Sequence, residues 1–313
     1  MTRISTQSQN DLVLFYMQKN ENALTDLSTQ VSTGITAQTY AGIAPDAAHL
    51  VNFQSQVARQ TDFNNTIDTV TTRLQAMQLS VSQIQTEVQQ FRGLIPTGAF
   101  STTQPDVSTQ AKSLLQDIAG YLNSQDGTRY LFAGTQSNTP PVDLTNLPTG
   151  AAATLTAPVN GPPSANGYYA GGPPIAPVRV DQQVTVNYGI TAADANTFEP
   201  IIRVLNYLAN NGPFSSTSPT DNTNLSTAGT MLDQALTGLS SMLGNISLQT
   251  AQLNNEKTLH TSTINLAQTQ IGNIESVDQA TAVTKLNLLE TQLEASFSAT
   301  SSIDKLSLVN FMS

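Results

Sequence analysis

Leu225, Leu232, Leu239, Ile246 and Leu253 recur every seventh position, with Ala228, Ala235 and Met242 between them. Apolar residues three and four apart line one stripe of an α-helix, and a stripe held over several heptads requires a covering helix. The series predicts a helix from about 222 past 270, weakening through His260 and Ala267 and resuming at Ile274. A second series runs Leu50, Phe53, Val57, then Ile67, Val70, Leu74, Met77, Val81, Ile84, Val88 and Phe91. Its one offset, near Phe63, is of the kind that a three-residue stammer makes, which overwinds a coiled coil without ending the helix. It predicts a helix over about 46–92, opened by Pro45-Asp46 and closed by Gly93 and Pro96.

Both ends of the chain carry poorer seams. Val13, Met17, Asn20, Leu24, Leu27 and Val31 share one stripe before Gly34, and Ala282, Leu286, Leu289, Leu293, Ser296, Thr300 and Ile303 keep the same spacing near the other end. Small and polar residues interrupt both. Isolated helices are marginal in water without a partner for their apolar face, so the two weak seams are expected to cover one another.

Between the long helices the character changes. Val107, Ala111, Leu114, Ile118 and Leu122 predict a shorter amphipathic helix over about 106–124, and Asp126-Gly127 beside an aromatic run predicts a turn into a strand. From Pro140 to about Gly189 come Pro162-Pro163, Gly171-Gly172-Pro173-Pro174 and the alternating Val178, Val180, Val184 and Val186, the pattern of a small β-rich insert. A further helix is expected over Thr197 to Leu208, ended by Asn211-Gly212-Pro213. The expected fold is mainly α with this insert: a long antiparallel helical, coiled-coil rod formed by both termini. Its expected divisions are a terminal coiled coil of 1–45 with 271–313, a helical core of 46–137 with 192–270, and an outer insert of 138–191.

Composition narrows the function. Twelve basic against twenty-two acidic residues give a net charge of −10, with too little basic surface for nucleic-acid binding. The run Leu12–Met17 is too short for a signal-peptide core or for membrane insertion. Zero cysteines exclude disulfides and thiolate chemistry. Phosphate-loop, dinucleotide, H-E-x-x-H and nucleophile-elbow motifs are absent. His260 sits in the heptad register and His49 beside a helix start, where helix packing outweighs catalysis or metal binding. Asp143, Asp181 and Asp194 match no EF-hand spacing, so turn and solvation roles are expected. Tyr168-Tyr169 is expected to pack inside the insert. No catalytic, cofactor or metal site is expected, and the chain reads as a structural protein and not an enzyme.

Several segments carry a resemblance. The opening Arg3-Ile4-Ser5-Thr6, the break Gln30-Val31-Ser32-Thr33-Gly34 after the first helix, Pro45-Asp46-Ala47-Ala48 before the second, and the apolar ending Leu306–Met312 resemble the flagellin superfamily. The segment Asp126–Gly134, with Arg129, Tyr130, Phe132 and Gly134, resembles most the hook-associated proteins of the hook–filament junction, and is the most specific match. Ile35-Thr36 stands where the family usually has a basic residue, and Ile43-Ala44 where it has an acidic pair.

The resemblance implies a structural subunit exported without a cleaved signal through the flagellar type III apparatus and assembled outside the cell. It implies terminal helices that fold on assembly into a tubular ring, with flagellin and the adjacent hook-associated protein as axial partners. An export chaperone would hold the C-terminal helix, about 280–313. The expected assembly residues are Val13, Met17, Leu24 and Leu27 with Leu286, Leu289, Leu293 and Ile303. Two other readings remain open here: a flagellin of the filament itself, and a surface adhesin or binding module on a helical stalk.

Overall fold

A computed structural model describes residues 3–95 and 107–312, with side chains at 11–95 and 107–301. Among the described residues six α-helices follow in order: α1 (Arg3–Thr33), α2 (Ala47–Arg92), α3 (Val107–Leu122), α4 (Phe198–Asn211), α5 (Pro219–Glu275) and α6 (Gln279–Met312). The expected helices are all present, with ends within a few residues of the sequence reading. Pro96, the expected stop after α2, lies outside the described residues.

The chain forms two compact units, residues 1–59 with 262–313 and residues 60–261. Within the larger unit α2 and α5 run antiparallel. The pairing is traced by Arg92 with Asp233, Gln85 with Ser240, Lys257 with Asp68 and His260 with Asn64, in opposite directions along the two helices. Both stripes fulfil the heptad reading: Ile67, Leu74, Val81, Ile84 and Val88 on α2, and Ala228, Leu232, Ala235, Leu239, Ile246 and Leu253 on α5, are fully buried. The α2 offset at Phe63 and the α5 weakening at His260 meet, with ring centroids 5.7 Å apart.

Helix α4 is the hub of this unit. Phe198, Ile201, Ile202, Val204, Leu205 and Leu208 are fully buried, and α4 packs against α3. Four short strands accompany it: β1 (Gln125–Asp126) pairs with β2 (Arg129–Tyr130), and β3 (Val178–Arg179) pairs with β4 (Thr185–Val186), both antiparallel. The Asp126-Gly127 turn and the alternating valines thus form hairpins as expected, with Gly127 at φ +63°. The rest of 138–191 is loop with isolated bridges and two short 3-10 turns, Gly150–Ala152 and Pro163–Ala165, less β-structured than the sequence suggested. Its many prolines lack the N–H that a ladder needs.

Side chains replace the missing ladder. Asn123 exchanges two 2.9 Å hydrogen bonds with the backbone of Val142, and buried Glu199 accepts one from Val159 N at 3.0 Å. Asn206 donates to Pro148 O at 2.9 Å and Asn211 to Ala153 O at 3.1 Å. Loop backbone buried beside α4 therefore finds partners on helices. Tyr168 packs inside, as expected, and donates to Ala192 O at 2.7 Å; burial raises its pKa well above the ordinary tyrosine value.

The long helices place threonine and serine where most proteins place charge. These hydroxyls turn back onto the carbonyl four residues earlier: Thr66, Thr69 and Thr72 on α2, Thr223, Thr227 and Thr230 on α5, Thr284 and Thr291 on α6. Charged residues are only 11% of the chain.

Candidate functional site

In the smaller unit α1 and α6 pack together, and two contacts fix their sense. Ile35 bridges Ser276 in antiparallel fashion near the inner ends, and Thr300 lies beside Met17 further along. The Ser32-Thr33-Gly34 break has a local cause. Gly34 takes φ +74°, its N–H closes on Gln30 O at 2.8 Å, and a residue with a Cβ would resist that backbone. A second break, Ser276–Asp278 between α5 and α6, lies at the same level. Thr36 N donates to Glu275 O at 2.7 Å, and Val277 N to Gly34 O at 3.0 Å. The two interruptions thus satisfy each other's backbone.

Asp278 restarts the chain as α6. Its carboxylate accepts Ala280 N at 3.0 Å, Thr281 N at 3.2 Å and the Thr281 hydroxyl at 2.7 Å. These bonds, the Thr281 hydroxyl first, hold its pKa below the ordinary aspartate value.

The expected assembly residues form the inner stripe of this pair. Met17 and Leu293 are buried, Val13, Leu24, Leu27, Leu286 and Leu289 are half-buried, and the Ile303 side chain lies outside the described residues. Partial burial follows from composition. Thr300 and Ser296 occupy stripe positions, and Asn20 is half-buried among them.

A second apolar set faces the other way. On α1, Leu12, Leu14, Phe15 and Tyr16 are 54, 58, 62 and 53% exposed; on α6, Leu288 and Phe297 are 58 and 53% exposed and Val283 is also open. The seam spacing did not single these out, because it follows one stripe only. The available signal was the unbroken run Leu12–Met17: on a helix, consecutive apolar residues cover every side. Phe15 and Tyr16 stack edge to face at 5.7 Å. Both terminal helices thus carry apolar side chains outside the stripe by which they meet.

The Arg129–Gly134 segment lies in the larger unit and is packed for structure. Arg129 donates to the Ser137 hydroxyl at 3.1 Å and Tyr130 N to Ser137 O at 2.8 Å, closing a small loop. Phe132, fully buried, meets Phe198 of α4 edge to face at 5.8 Å. Gly134 takes φ +60°, and a Cβ there would fall 2.3 Å from Pro173 O and 2.4 Å from Gly172 O. The motif therefore fastens the insert onto the helices. Its specificity as a sequence signal has a packing cause.

Comparison with known proteins agrees with this geometry. Residues 229–312, from mid-α5 to the end of α6, match the family described as the bacterial flagellin C-terminal helical region. No curated protein matches the chain significantly in sequence. A solved structure from Vibrio parahaemolyticus, described as a flagellar hook-associated protein, superposes with a TM-score of 0.59 at 16% identity, covering 75% of this chain and 100% of that one. FlgL of Bacillus cereus, at 14% identity over 80% of this chain and 96% of its own, superposes with a TM-score of only 0.26. Among the described residues no helix is long and apolar enough to cross a membrane. Residues 229–312 are thus similar to a flagellin C-terminal helical region, and the chain shares its fold with a hook-associated protein.

Proposed function

We propose that this chain is a structural subunit of the bacterial flagellum at the hook–filament junction, and that it acts by packing against its neighbours and not by catalysis. The observation that carries the proposal is the two-sided apolar character of the terminal helices. Their inner stripes meet within the chain, while Leu12, Leu14, Phe15 and Tyr16 on α1 and Leu288 and Phe297 on α6 remain open. Burying such side chains is worth about 1.5–3 kcal/mol each, and neighbouring subunits supply that burial. The same gain offsets the ordering entropy that a polar, half-filled inner seam meets poorly alone.

The partners are those that the resemblance implies. Other copies of the chain build a tubular ring, with flagellin on one side and the adjacent hook-associated protein on the other. Export through the type III apparatus precedes assembly outside the cell, and a chaperone shields the C-terminal helix, about 280–313, in the groove-binding manner of amphipathic helices. The rival reading as a filament flagellin is less well supported, because the Arg129–Gly134 segment resembles the junction type.

The test separates the two faces. Phe15→Ser with Tyr16→Ser is expected to leave the monomer's circular dichroism and melting temperature unchanged while abolishing incorporation into flagella and motility in a strain lacking the wild-type copy. Wild-type incorporation of that double variant, in a protein located at the junction or anywhere on the axis, sinks the proposal.

A further inference from the structure

We infer that Asp181, Glu256 and His260 form a binding site for one divalent transition-metal ion of the zinc type, located in the larger unit and independent of the assembly surface. Sequence spacing gives no hint of it, since Asp181 is in the β3–β4 turn and the other two are on α5. The fold brings one ligand atom from each within 4.8 Å of the others.

Three carboxylate and imidazole groups meeting at a surface prove nothing by themselves. His260 supplies the second observation. It lies one heptad beyond Leu253 on the buried face of α5 and is only 1% exposed. Its Nδ1 is 3.2 Å from Asn64 Oδ1, an atom that can only accept, so Nδ1 carries the proton in this arrangement. The lone pair is then on Nε2. That atom is fully buried, has no hydrogen-bond partner, and points at Asp181 Oδ2, 3.9 Å away.

A buried imidazole lone pair facing two carboxylates calls for a positive species between them. The 3.9 Å gap exceeds a hydrogen bond, so a proton shared between Nε2 and Asp181 does not fit as placed. Two metal–ligand bonds of about 2.0–2.2 Å at the tetrahedral angle hold their outer atoms about 3.3–3.6 Å apart, so an ion fits once the partly exposed turn moves in by a few tenths of an ångström. Glu256, half-buried one helical turn before His260, offers a carboxylate oxygen within 4.8 Å of the other two ligand atoms. One nitrogen and two carboxylates is a donor set for zinc and its borderline neighbours, whereas calcium prefers oxygen alone.

The surroundings orient the ligands. Asn64 fixes the His260 tautomer, and Phe63 lies against the ring with centroids 5.7 Å apart. Gln182 N donates to Asp181 Oδ1, leaving Oδ2 for the ion. The turn is held in place by Val180, fully buried with Ile67, Val70, Leu74 and Leu253, and by the bonds from Val180 N and Asp181 N to Val184 O. The nearby cation Lys257 pairs with Asp68. Such second-sphere contacts commonly raise metal affinity tenfold or more. The ion would tie the insert hairpin to α5.

The experiment uses the untagged full chain, stripped by chelator and titrated with ZnCl2 by calorimetry, with CoCl2 as the spectroscopic probe. One ion per chain, low-coordinate Co2+ absorption, and a melting temperature raised by zinc are expected. Asp181→Asn, Glu256→Gln and His260→Gln should each weaken binding by at least about tenfold. His49→Gln, which removes the other histidine, should not. Should His260→Gln fail to fold, Asp181→Asn in its partly exposed turn decides. Absence of stoichiometric binding, or equal binding by parent and Asp181→Asn, overturns the site. So does a pH-dependent melting temperature that His260→Gln abolishes while zinc has no effect, which would assign the gap to a proton.

Discussion

The hydroxyl of Thr300 lies 3.8 Å from the sulfur of Met17, setting a polar group into the seam where the first and last helices meet. The same hydroxyl is also held by Ser296 O at 2.8 Å, so it is satisfied without being useful to the seam. Thr300→Val keeps the volume and removes the polar atom. It is expected to stabilise the α1–α6 pair of the lone chain by about 0.5–1 kcal/mol, read as slower amide exchange in both helices.

Gly134 has two independent needs for a missing side chain, its φ of +60° and the carbonyl oxygens of Gly172 and Pro173. Gly134→Ala is expected to cost about 2–4 kcal/mol and to lower the melting temperature of the larger unit, with release of the insert visible as new protease sensitivity in 135–175.

The buried tyrosine offers a gentler change. Tyr168→Phe removes the donor to Ala192 O, leaving that carbonyl unpartnered in a fully buried place. A loss of about 1–2 kcal/mol in denaturant midpoint experiments is expected, with the native fold retained.

In the long seam, Leu239 and Ile84 are fully buried in the same apolar cluster. Leu239→Ala should cost about 2–5 kcal/mol by lost burial and a cavity, whereas the exposed Leu248→Ala on the same helix should change stability by less than about 0.5 kcal/mol. Chemical denaturation of both variants measures the contrast.

Asp278 carries a pH signature. Its folded pKa is depressed, so its contribution is present above the ordinary aspartate range and lost as pH falls through the lowered value. Amide exchange in the first turn of α6 should therefore accelerate in acid, when the Thr281 and Ala280 bonds release. Asp278→Ala should show the fast exchange at every pH and no such transition.

The sequence made the long helices legible because a stripe is a local property: Leu232 and Leu239 announce their burial by spacing alone. The hairpin at Val178–Val186 was legible for the same reason, through alternation. The outer band at Phe15 and Tyr16 was not, since residues between seam positions carry no period of their own. The meeting of Asp181 with His260 was hidden more deeply. It depends on where a proline-rich loop comes to rest against a helix far along the chain, and loop placement here is governed by single bonds such as Asn123 to Val142. The glycine at 134 was visible as a motif, but its cause, two carbonyls arriving from 172 and 173, required the fold.

On the proposed function, the hydroxyls folded back along the helices bear on how the subunit would pack against its neighbours. A surface of lysine and glutamate must be stripped of tightly held water and have long chains frozen before it can be covered. Threonine and serine already bonded to their own helix present mostly methyl and methylene groups, short and with little freedom to lose. Dehydrating them costs little, and close approach meets little charge of either sign. A polymer built from this surface is held by shape and close fit, and its cohesion should change little between dilute buffer and brine.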